Sequence, residues 1–178
     1  MRLIIAVLLL LSLAIGIAHS APVMLQATDN AMGKTIARYM QDAHQIGFDI
    51  KENGDADPSI MHTEKGQKVA DYPFVIVTVP YAKDDKGAVT ARMVVLMVIP
   101  QIKVPDDKRG AVLEAMNKLN NDNDYTHLYI DDDNEIAFRW AIVVTKSGLP
   151  IDAVWDAYSS MVPAWEAAGE ELNKALAE

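Results

Sequence analysis

Cysteine is absent from the 178 residues. That excludes disulfides, thiolate zinc sites, iron–sulfur clusters, cysteine nucleophiles and a lipid anchor through cysteine. Positive charge is scarce: 16 Lys and Arg stand against 25 Asp and Glu, for a formal net charge of −9. Such a chain repels phosphate backbones, so nucleic-acid binding is not expected. Long apolar runs are missing after the first 20 residues. The longest, residues 93–99, has the length of a buried strand, whereas a membrane span needs about 20 residues. Catalytic signatures are missing as well: there is no G-x-S-x-G, G-x-x-x-x-G-K, G-x-G-x-x-G or H-E-x-x-H. No enzymatic activity, cofactor or metal is expected. Hydrophobic residues at 51% and charged residues at 23% are ordinary globular composition, so disorder is not the reading either.

What is present begins with an address. Arg2 is followed by an apolar stretch over residues 3–18 that only Ser12 and Gly16 interrupt, and Ala18-His19-Ser20 offers small residues where signal peptidase reads. Residues 1–20 are therefore expected to be a signal peptide cut after Ser20. Residues 21–178 are then one exported domain, periplasmic or secreted.

Periodicity predicts an α+β domain. A helix is expected over residues 31–47, with Met32, Ile36, Tyr39, Met40 and Ala43 on its apolar face and Gly47 as terminator. A meander of three to four strands follows. It has short strands at 48–51 and 60–63 and longer ones at 74–79 and 89–99, the last two joined by a hairpin at 84–87. A second helix is expected over residues 105–120, with Val112, Ala115, Met116 and Leu119 buried, and a hairpin of strands at 126–130 and 135–145 after it. A long helix opens at Pro150, and Pro163 should kink or split it. The fold class is α+β, a single domain with an antiparallel sheet in the order α-β-β-β-α-β-β-α. Both faces of 75–79 and 94–99 are apolar, which suggests that both sides of the sheet are covered, in part by a second copy of the chain.

Few residues offer chemistry. His44, His62 and His127 are isolated in sequence and are expected at the surface or in ordinary hydrogen bonds. Asp131-Asp132-Asp133-Asn134-Glu135 is rich in oxygen donors, but Ile136 and Ile142 stand where a calcium loop needs Gly and Glu. A turn bonded to its own backbone is the simpler reading. A weak calcium site shared with Asp122-Asn123-Asp124 stays open. Glu166, Glu170 and Glu171 read as a solvated helix face. Trp155, Tyr158 and Trp165 share the stripe of the last helix, with Trp140 on the neighbouring strand. They fit core packing, and also a partner-binding or dimer seam.

A resemblance appears around the second helix. Val104-Pro105-Asp106-Asp107-Lys108-Arg109 leads to Met116-Asn117-Lys118-Leu119-Asn120, then Leu128-Tyr129-Ile130-Asp131, an acidic turn, and a strand ending at Gly148. This resembles the YbjN family, whose fold is similar to that of type III secretion chaperones. Lys108, Arg109, Asn117, Leu119, Asn120 and Asp131 occupy the positions that carry it. The resemblance implies a chaperone-like, non-enzymatic domain that binds a protein or peptide, often as a homodimer. One departure is the leader, since the family is mainly cytoplasmic. The chain is therefore expected to be an exported protein- or peptide-binding domain of the cell envelope. The alternative is a carrier of a small apolar ligand between sheet and last helix.

Overall fold

The computed structural model describes residues 22–53, 56–122 and 126–177. The expected signal peptide at residues 1–20, the turn signal at Gly54-Asp55, and Asn123-Asp124 lie outside the described residues.

The architecture is a six-stranded antiparallel sheet with helices on one face. In chain order the elements are β1 (Met24–Leu25), α1 (Met32–His44), β2 (Asp49–Asn53), β3 (Ala56–Glu64), β4 (Tyr72–Lys83), β5 (Val89–Val98), α2 (Arg109–Asn121), β6 (His127–Ile130), β7 (Ile136–Thr145), β8 (Leu149–Pro150) and α3 (Asp152–Ala177). The sheet runs β2-β3-β4-β5-β7-β6, and β1 pairs with β8 in a separate two-stranded ribbon. The α+β class and the antiparallel sheet are as expected. The meander has four strands between the first two helices, within the expected three to four, and the β1–β8 ribbon has no counterpart in the expected order.

α1 ends earlier than the sequence suggests. Its left-handed residue is Gln45 at φ 60°, not Gly47. The Gln45 and Ile46 amides close back on Gln41 and Met40, each at 3.1 Å, and these bonds supply partners for the last carbonyls. α2 also starts later than expected. Pro105 to Lys108 form a turn before it, with the Lys108 amide on the Pro105 carbonyl at 3.0 Å. β4 runs through both Pro73 and Pro80 instead of stopping between them.

α3 is one helix of 26 residues with Pro163 inside it, so the proline does not split it. The missing Pro163 N–H frees the carbonyl of Ser159. Both residues are exposed, where water can serve that carbonyl.

The core lies between the helices and one sheet face. Alternation holds in β7 from Phe138 on: Phe138 and Val144 are buried and Trp140 and Ile142 half-buried, whereas Arg139, Ala141 and Val143 are exposed; at the start of the strand Ala137 is buried along with Ile136. Ile60, Phe74, Ile76, Val94, Leu96 and Val98 extend that inner face across the sheet. Met32, Ile36 and Met40 of α1 and Met161, Trp165 and Leu172 of α3 pack onto it. Burying a side chain of this size contributes about 1.5–3 kcal/mol each.

Candidate interaction surface

The residues that carry the family resemblance turn out to hold the scaffold. Asn120 sits at the end of α2. Its Nδ2 donates to the Leu128 carbonyl at 3.0 Å, and its Oδ1 accepts the Leu128 amide at 2.8 Å. β6 is an edge strand, so this side chain occupies the place of a next strand. Arg109 donates to Asn134 Oδ1, while Asn134 Nδ2 donates to the Val104 carbonyl. The Val104 amide returns a bond to the Asn134 carbonyl at 2.9 Å. Asn134 has φ 62°, a conformation Asn tolerates well. Asp131 Oδ1 accepts the amides of Asp133 at 3.0 Å and Glu135 at 2.9 Å. The acidic turn is thus bonded to its own backbone. Leu119 packs against the core, Lys108 is the N-cap position of α2, and Asn117 is exposed.

The aromatic candidates divide. Trp165 is fully buried at 0% exposure and Tyr158 at 4%, so neither can be a contact residue in this fold. Trp165 meets Tyr72 edge-on at 6.0 Å, and Tyr158 meets Phe74 at 4.7 Å. The interface role proposed for them from the helical stripe is corrected to core packing. The stripe faces the sheet, and the chain supplies its own partner there. Trp140 is half-buried on the same inner face. Trp155 is half-buried and stacks on His44, ring centres 3.5 Å apart. His44 lies 3.2 Å from the Tyr39 hydroxyl, which donates to Asp152. Burial, with the Asp152 carboxylate second, pushes the Tyr39 phenol up to about 12. His62 Nδ1 lies 2.9 Å from the Gly47 carbonyl, and His127 stacks beside Tyr129. Among the described residues, no three His, Asp or Glu side chains gather as a metal site.

Sequence reasoning misplaced one carboxylate. Glu166 is only 8% exposed. It accepts the amides of Gln67 at 3.1 Å and Lys68 at 2.7 Å, latching the β3–β4 loop to α3. Nearby, Glu64 accepts from the Tyr158 hydroxyl and lies 3.6 Å from His62 Nε2. Burial raises the Glu64 carboxyl above its ordinary range, His62 pulls it back, and Glu166 adds to the rise.

The second sheet face carries a set of apolar, partly exposed side chains. Met61, Val75, Met97 and Arg139 form one row across β3, β4, β5 and β7. Val77, Val95 and Ala141 form the next, and Val79, Met93 and Val143 the third. Met61, Val79 and Val143 are 42%, 38% and 44% exposed. Among the described residues the chain covers one side of this sheet; the expected cover of the other side, in part by a second copy, involves a chain beyond this one. In these rows Arg139 is the only charge, and it lies over the Tyr129 ring at 5.3 Å. The doubly apolar strands at 75–79 and 94–99 were the sequence signal for this face.

The model of the YbjN family, described as "Putative bacterial sensory transduction regulator", matches residues 82–158. No curated protein matches the chain. Among solved structures, the crystal structure of YbjN, "a putative transcription regulator" from E. coli, is 12% identical and covers 77% of this chain and 88% of its own, with a TM-score of 0.45. The motif residues between Val104 and Gly148 all fall inside the matched stretch, and over residues 82–158 the resemblance to the YbjN family therefore holds.

Proposed function

We propose that this chain is an exported, non-enzymatic protein-binding domain of the cell envelope. In this reading it works as a homodimer, with the open sheet face as its contact surface. One observation carries the proposal. A chain with 25 carboxylates places none of them in the three apolar rows across β3, β4, β5 and β7. Two copies of an acidic protein repel wherever their carboxylates meet. A stretch of sheet free of acid, with Asp49 of β2 only at its margin beside Met61, is one that a second copy can approach. Methionines at 61, 93 and 97 give it adaptable side chains for packing sheet on sheet. The regulator description of the matching family supports a binding role over a catalytic one. Export rests on the leader alone.

The carrier alternative gains little support. The apolar pocket between α2, β6 and α3, lined by Leu119, Leu128, Phe138 and Ala168, measures about 140 Å³, and the one of about 310 Å³ between the end of β3 and α3 is lined largely by charged and polar residues, among them Glu64, Lys65, Lys68 and Glu166. Ligand sites usually span about 300–1,000 Å³. The test is native mass spectrometry on protein recovered from its own envelope. A doubled mass, or an added polypeptide, is expected. A bare monomer, or a monomer carrying a small apolar molecule, would overturn the reading.

A further inference from the structure

The open face carries charge at its two margins, and their spacing bears on how a second copy docks, which rests on the reading of that face as the dimer surface. One row crosses five strands. Asp49 of β2 is the register partner of Met61, Met61 of Val75, Val75 of Met97, and Met97 of Arg139. Partners in an antiparallel ladder point their side chains to the same face. Their chain neighbours Ile60, Phe74, Leu96 and Phe138 are buried on the inner face, so this row looks outward. In order it reads acid, methionine, valine, methionine, base. Val75 is at the middle, and Asp49 and Arg139 each stand two strands away on opposite sides.

Both charged residues are exposed. Among the described residues neither takes part in an ion pair. Arg139 lies over the Tyr129 ring, which positions the guanidinium without neutralising it. Four strand spacings, about 19 Å, separate Asp49 from Arg139, so the two cannot meet within one copy. The row is nevertheless self-complementary: read from either end, a methionine stands next to the charge and a valine at the centre.

We propose that the second copy docks on a twofold axis running along β4 over Val75, so that Asp49 of each copy pairs with Arg139 of the other. A half turn about this axis exchanges the two ends of the row. Met61 then faces the partner's Met97, and Val75 faces its own copy. Apolar meets apolar and acid meets base, twice by symmetry. Sheets packed face to face lie about 10 Å apart, a gap that an arginine and an aspartate close from opposite sides. The other face-to-face half turn, about an axis along the rows, sets Arg139 against itself or, one row over, against Ala141. It places Asp49 against itself or against Lys51, and it brings no carboxylate to the guanidinium.

The experiment is a charge swap read by sedimentation equilibrium. Asp49→Arg and Arg139→Asp each set like charges opposite one another at both symmetric contacts. Each alone is expected to weaken the dimer about tenfold or more. The double variant restores opposite charges in exchanged places and should return to within about threefold of the parent chain. Net charge by itself predicts a different pattern: Asp49→Arg makes an acidic chain less acidic and would tighten the dimer. Both positions are exposed, and circular dichroism checks the fold of each variant. A dimer that tightens with Asp49→Arg, that ignores both single changes, or that the double variant fails to recover overturns the pairing and leaves the function proposed above standing. A parent chain that stays monomeric overturns both.

Discussion

Asn120 and Leu128 are joined by two hydrogen bonds, from one side-chain amide to the amide and carbonyl of a single edge-strand residue. The side chain imitates a neighbouring strand and blunts the edge of β6. Asn120→Ala leaves both Leu128 groups without a partner in a half-buried setting. We expect a loss of about 1–3 kcal/mol in denaturant unfolding. Asn120→Asp can still accept the amide but sets a carboxylate against the carbonyl, so it should rescue little.

Glu166 makes a testable latch. It accepts two consecutive backbone amides of the β3–β4 loop. Glu166→Gln keeps one acceptor oxygen and loses the charge. Amide exchange at Gln67 and Lys68 should quicken at least severalfold while the core amides hold. Exchange that stays unchanged would show that the contact of Val69 with α3 at Gly169 holds the loop without the carboxylate.

The Glu64 carboxyl sets a pH dependence. Its folded pKa stands above the ordinary value of 4.5, chiefly through burial. A group of this kind holds more protons folded than unfolded. Its contribution to stability is full below the unfolded value and is lost as pH rises through the folded one. Stability measured upward from pH near 4.5 should therefore decline through a component that Glu64→Gln abolishes. A slope identical in both proteins would contradict the assignment.

Trp165 tests the division between core and surface. It is fully buried against Tyr72 and Phe138. Trp165→Ala should cost about 3–5 kcal/mol in thermal or denaturant unfolding. A well-folded variant with an altered association state would return this residue to the interface.

Legibility in the sequence followed the kind of force involved. β7 was readable because alternation of apolar and polar residues records which face is buried. The Asp131 turn was readable because Asp and Asn bond their own backbone locally. Glu166 was not readable, because the amides it caps lie about a hundred residues away. Trp165 was ambiguous for a similar reason: a helical stripe shows that a face is apolar, and only the packed sheet shows what covers it. Pro163 does not split α3, because the cost of a helical proline depends on whether water reaches the freed carbonyl.

The central claim is that the open sheet face binds a second copy. Its most direct test is the mass in solution of the chain and of a Met61→Glu, Val143→Glu double variant, by sedimentation equilibrium at micromolar concentration. Both positions are exposed, so the variant should fold, which circular dichroism checks. The account predicts a dimer for the parent chain and a monomer for the variant. A monomeric parent, or a variant that dimerises as well as the parent, would contradict it.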